Sequence, residues 1–130
     1  MNDHAADRRA VDGDMMFELF SDKWTLLVLR RIYLDGGAAR FNALKRQIAG
    51  ISQKTLTQSL RRLERNGLVS RHLVDTAPPG VEYSLTALGN SLKLPLSVLR
   101  DWSESNAHAI HHAQQIFDQK QTKSPRSMVA

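Results

Sequence analysis

The chain of 130 residues contains no cysteine. That absence removes disulfide frameworks, thiolate metal sites, cysteine nucleophiles and direct thiol redox sensing together. No apolar run approaches the ~20 residues needed to cross a bilayer, so no membrane partner is expected. The start from Met1 to Asp14 is mostly polar and does not resemble a signal peptide, which makes the cytoplasm the expected compartment. Internal repeats and low-complexity tracts are lacking. So are a Gly-rich phosphate loop, a nucleophile elbow, a His-Glu metal-hydrolase motif and, in the patterned part of the chain, paired carboxylates on one helical face. Neither an enzyme nor a bound cofactor is expected. What remains, with 42% hydrophobic residues, is enough to bury a core within one domain of ordinary length.

Acidic residues are nearly missing from one segment in particular. Between Arg40 and His72 stand Arg40, Lys45, Arg46, Lys54, Arg61, Arg62, Arg65 and Arg71, opposed only by Glu64. The net charge of +5 is therefore concentrated there, and the rest of the chain is slightly acidic. A basic segment in an otherwise near-neutral chain is the electrostatic footprint of a polyanion partner. A solvated helical face would show the same charge, so charge alone does not decide.

The order of elements adds to it. Residues 1–13 lack periodicity and read as a loose arm; Asp14 can cap a short helix over Met15–Phe20. Ser21 and Asp22 offer a cap and a first-turn acid for a largely buried helix containing Trp24, Leu27, Val28 and Ile32, stopped at Gly36-Gly37. Phe41, Leu44 and Ile48 mark a short amphipathic helix ended by Gly50. Ser52 then caps a third helix whose inward stripe is Leu56, Leu60 and Leu63, with Asn66-Gly67 as its stop. The period next falls to two: Leu68–Val74 and Val81–Leu85 read as strands around a projecting Asp75–Gly80 loop with two prolines. Thr86 caps a last long helical region, in which Pro95 predicts a kink or a broken helix. The expected fold is mainly α with a small β-hairpin, a winged helix-turn-helix with added N- and C-terminal helices. Its expected boundaries are residues 14–119, followed by a disordered tail over 120–130.

Blocks in this order resemble the HxlR-type winged-helix regulators of the MarR-like superfamily. They are Lys23–Arg30, Arg40–Leu44, Gly50–Thr57, Leu60–Glu64, Gly67–Val69, Pro78–Thr86 and Leu88-Gly89, and the likeness covers about residues 17–103. The resemblance implies a dimeric bacterial or archaeal transcription factor held together by its terminal helices. Two departures stand out. Family members often carry a cysteine before the Lys-Trp block, where this chain reads Met15-Met16-Phe17-Glu18-Leu19-Phe20; the implied regulation is then not thiol-based. Family hairpins usually place a basic residue after the two prolines, where this chain has Gly80, leaving Arg71 and His72 as the nearest substitutes.

The candidate DNA-binding residues follow from these readings. On the third helix, Gln53, Lys54, Thr57, Gln58, Arg61 and Arg65 lie away from the leucine stripe. Gln can read adenine, Arg or Lys can read guanine, and Thr can touch the thymine methyl. Ser52 at the helix start suits a phosphate oxygen. Arg40, Lys45, Arg46, Arg62 and Arg71 complete the set, with Lys45 and Arg62 read as phosphate contacts. Met16, Phe17, Phe20, Leu96, Leu99 and Trp102 are candidate dimerisation residues, because the terminal apolar surface exceeds what one small winged domain covers. The methionines and Trp102 leave room for a small-molecule effector of unidentified chemistry. Trp24 reads as a buried core residue. Glu104, His108 and His112 share a helical face with His111 beside them, but they read as surface histidines rather than metal ligands. The expected function is sequence-specific binding of double-stranded DNA by a homodimer on a pseudo-palindromic operator. The alternative is a winged helix serving protein interaction or RNA binding without its own operator; an exposed, basic third helix argues against it.

Overall fold

A computed structural model describes Leu19 and residues 21–123. The arm over 1–13, the short helix at Met15–Phe20 and the packing roles of Met16, Phe17 and Phe20 lie outside the described residues. Helix α1 spans Lys23–Leu34. The Asp22 carboxylate caps it by accepting from the Trp24 N–H at 3.0 Å and the Thr25 hydroxyl at 3.1 Å. Its buried side is Thr25, Val28, Leu29 and Ile32. At the far end Arg31 pairs with Asp35 one turn on, and Gly36 and Gly37 take φ of 85° and 100°, which ends the helix as expected.

The next element, β1 (Ala38–Arg40), has no counterpart in the sequence reading. Three residues are too short to show alternation, and the strand exists only by pairing with distant chain. It runs antiparallel to β3 (Gly80–Leu85), which pairs on its other side with β2 (Val69–Val74). The expected hairpin is thus two strands of a three-stranded sheet ordered β1-β3-β2.

Between β1 and β2 stand α2 (Phe41–Gln47) and α3 (Gln53–Arg65). Ser52 caps α3 by accepting from the Thr55 N–H at 3.0 Å. Leu56, Leu60 and Leu63 are fully buried, and Ser59 lies buried among them. At the C-terminus Gly67, with φ of 75°, donates to the Glu64 carbonyl and Leu68 to the Leu63 carbonyl, both at 3.0 Å. This double return is a Schellman closure, and it points Leu68 into the core. Trp24 departs from expectation: it is only half-buried, its ring lying near Gly50 with Lys23 Nζ 5.2 Å from the ring centroid.

One ion pair ties α1 to α3. Arg62 donates to the Asp22 carboxylate and, at 3.0 Å, to the Thr25 hydroxyl, which itself donates to Asp22. Partial burial alone would raise the Asp22 carboxyl, but the Trp24 N–H, Arg62 and Thr25 together hold it below the usual 3.8.

The expected last helical region is three helices: α4 (Ala87–Ser91), α5 (Lys93–Ser105) and α6 (Ala107–Lys123). The break expected near Pro95 falls at Leu92, and Pro95 stands in the first turn of α5, where its missing N–H has no helical partner to lose. The second interruption, at Asn106, has a side-chain cause: Asn106 donates to the Trp102 carbonyl through both its backbone N–H and its amide. The last helix continues to Lys123, past the boundary drawn at residue 119. The chain divides into two compact units between Leu92 and Lys93, where one domain was expected.

In the first unit, Thr86 caps α4 by accepting from the Gly89 N–H at 3.0 Å, and Tyr33 of α1 donates to the Gly89 carbonyl. A Cβ on Gly89 would stand 2.1 Å from the Leu68 carbonyl oxygen. Gly89→Ala therefore forces backbone apart and should cost about 1–3 kcal/mol of stability, read from urea unfolding; an unchanged midpoint would refute the close approach.

Asp22 yields a second prediction. Its folded-state value lies below its unfolded one, so its contribution is complete above the usual 3.8 and is lost as pH falls through the depressed value. Asp22→Asn keeps a competent cap but removes the charge. Unfolding measured at pH 7 and pH 3 should show a smaller acid loss in the variant than in the parent chain.

Candidate nucleic-acid interface

The leucine stripe of α3 decides which side chains face away from the core. Gln53, Lys54, Thr57, Gln58, Arg61 and Arg65 are all exposed, on a helix whose opposite side is sealed. That set offers two amides, a hydroxyl-methyl group and three cations along one face, the mixture needed to read base edges and phosphates together. Ser52 is exposed too, but its hydroxyl is engaged: it accepts from the Thr55 N–H and donates to the Thr55 hydroxyl at 2.9 Å. Its role at the helix start is that of a cap.

Around this face the remaining candidates separate. Lys45 and Arg46 are exposed in the last turn of α2. Arg71 is exposed on β2, beside His72, whose ring nitrogen lies 2.9 Å from the Ser70 hydroxyl. Arg62, expected as a phosphate contact, is half-buried and donates through Nη1 to Asp22 and Thr25. No local pattern flags this, because the partner lies on another helix.

Arg40 is placed differently from the other cations. It is the last residue of β1, and its guanidinium reaches the loop between β2 and β3, donating to the Thr76 hydroxyl at 2.8 Å. Arg40 and Arg46 line one cleft of about 380 Å³ between α2 and that loop, floored by Phe41, Pro79 and Val81. Thr76 was not singled out from sequence, and nothing in its neighbourhood signals a partner 36 residues away.

The second unit carries a separate feature. Leu94, Val98, Leu99 and Trp102 are exposed on α5, Trp102 and Leu99 both at 57%, and Leu96 is half-buried. His108, His111 and His112 are exposed on α6. Among the described residues no group of three or more His, Asp or Glu side chains is placed to hold a metal ion, and no helix is long and apolar enough to cross a membrane.

Comparison with known proteins agrees with this geometry. The HxlR-like helix-turn-helix pattern matches residues 19–111. The HTH-type transcriptional regulator YtfH of Escherichia coli (strain K12) is 42% identical over 86 residues, covering 66% of this chain and 67% of that protein. YkvN of Bacillus subtilis (strain 168), another HTH-type transcriptional regulator, is 49% identical over 85 residues, covering 65% and 70%. The solved structure of the redox regulator HypR in its reduced form matches with a TM-score of 0.65 at 34% identity, over 76% of this chain and 96% of that one. The chain belongs to the HxlR-like helix-turn-helix family and is a transcriptional regulator with a helix-turn-helix DNA-binding fold.

Proposed function

We propose that this regulator binds double-stranded DNA sequence-specifically in the cytoplasm, as a homodimer on a pseudo-palindromic operator, without a thiol switch of its own. The observation that carries the reading is the exposed face of α3, polar and cationic from Gln53 to Arg65 while the opposite side is fully buried. Such a helix suits the major groove, with base contacts from its outward side chains and phosphate contacts from Lys45, Arg46 and Arg71 around it. The absence of cysteine supports regulation without a thiol switch.

Duplexes selected from a random pool by the intact protein test this. Binding should weaken steeply with salt, releasing roughly 6–10 counterions for the dimer. Arg61→Ala should cost about 1–3 kcal/mol on the selected duplex and relax the choice at one base pair. No selected duplex, or a preference for RNA, would overturn the reading; equal weakening on selected and random duplexes would move Arg61 from base to phosphate.

The dimer rests on α5. Leu94, Val98 and Trp102 recur every fourth residue, with Leu99 beside them, and all four are exposed in the single chain. A second copy packed about a two-fold axis would cover this stripe and set two α3 helices ~34–36 Å apart, one turn of DNA. Trp102→Ala should loosen the dimer and reduce affinity for the full operator far more than for one half-site. Sedimentation at micromolar concentration checks it: a monomer that still binds its operator tightly would defeat the proposal.

A further inference from the structure

The loop from Asp75 to Gly80 contains no Lys or Arg, and every residue from Asp75 to Pro79 is exposed. The β2–β3 ladder ends at Val74 opposite Gly80, so it leaves the loop tip without ladder support. The support comes from outside the hairpin. Arg40 donates through Nη2 to the Thr76 hydroxyl at 2.8 Å and through Nη1, at the longer distance of 3.5 Å, to the Pro78 carbonyl. Thr76 passes its own hydroxyl hydrogen to the same carbonyl at 3.1 Å. Donor, relay and acceptor thus form a closed triangle across the tip of the loop, in which each bond polarises the next.

Two further facts define the geometry. Arg40 is the N-cap residue of α2, yet its side chain makes no capping bond; it is turned to the loop instead. The side chain passes beside Gly80, where a Cβ would make ordinary van der Waals contact with it, 3.6 Å from Arg40 Nη1 and 4.0 Å from its Cδ. One residue therefore starts the first helix of the helix-turn-helix with its backbone and holds the wing loop with its side chain.

We infer that Arg40 is a positioning residue that fixes the wing loop relative to α2, acting through Thr76 rather than through a DNA phosphate. The inference rests on the DNA-binding reading above and deepens it. An arginine is required because the bond uses both arms of a planar fork toward two acceptors, which an ammonium does not reproduce. A loop held before binding loses less freedom on the duplex, so the brace contributes affinity without touching it.

The experiment uses the intact protein, the selected duplex and four variants: Arg40→Ala, Arg40→Lys, Thr76→Val and the double variant Arg40→Ala with Thr76→Val. Arg40→Ala and Thr76→Val should each weaken duplex binding about tenfold, close to 1.4 kcal/mol. The double variant should be no weaker than Arg40→Ala alone, because both remove one interaction. Arg40→Lys should not restore affinity. Thr76→Val removes no charge and should leave the salt slope unchanged, while thermal midpoints stay at the parent value. If Arg40→Ala lowers the salt slope and Thr76→Val binds normally, Arg40 is a phosphate contact and the inference is overturned. Additive losses would overturn it equally. Arg61→Ala separates the two levels: normal binding there defeats the α3 reading, whereas weakened binding there with normal binding in the Arg40 and Thr76 variants defeats the brace alone.

Discussion

The first unit depends on one requirement: α3 must be held on one side firmly enough to leave the other side unheld. Leu56, Leu60 and Leu63 are fully buried, each contributing about 1.5–3 kcal/mol by leaving water. The other anchors described for α3 lie at its two ends and on its flank. Ser52 closes its start, the Schellman turn at Gly67 closes its end, and Arg62 ties its flank to the cap of α1. Removing the outward side chains would cost the fold little, so that face can be shaped by binding. Buried Ser59 has a hydroxyl with no hydrogen-bond partner, a small internal cost carried by the same helix.

What was legible in the sequence is what is written locally. The Ser52 cap, the leucine stripe, the Asn66-Gly67 stop and the Thr86 cap each depend on residues within one or two turns, and each stands where the pattern put it. Two features that the local pattern does not show involve partners far along the chain. Strand β1 is three residues that become a strand only against β3. Arg62 was indistinguishable from its neighbour Arg61 until Asp22, on another helix, claimed its guanidinium. The interruption at Asn106 was missed for a different reason: the apolar pattern runs through it unbroken, and only the amide's bond to the Trp102 carbonyl distinguishes it.

The second unit presents the opposite balance. Helix α5 buries no residue within the single chain, and α6 is exposed from Ala107 to Thr122. Helices of this kind gain little from propensity alone and owe stability to a packed face. The apolar stripe at Leu94, Val98, Leu99 and Trp102 is exposed in the single chain, so the proposed second copy would bear on folding as well as on operator geometry.

Composition overstates the charge available to a polyanion. Eight basic residues lie between Arg40 and His72, but two of them direct their forks at groups of the same chain: Arg62 at Asp22 and Thr25, Arg40 at Thr76 and Pro78. Both are arginines, and in both the guanidinium meets two acceptors, Arg40 through two nitrogens of its planar fork and Arg62 through one. Lys45, Arg46, Lys54, Arg61, Arg65 and Arg71 are exposed, two of the six being lysines. The basic segment therefore performs two tasks with one residue class. Part of its charge orders α3 and the wing, and the rest faces outward from the surfaces so ordered. A charge count locates the interface, but only the hydrogen bonds separate the residues that build it from those that can touch DNA.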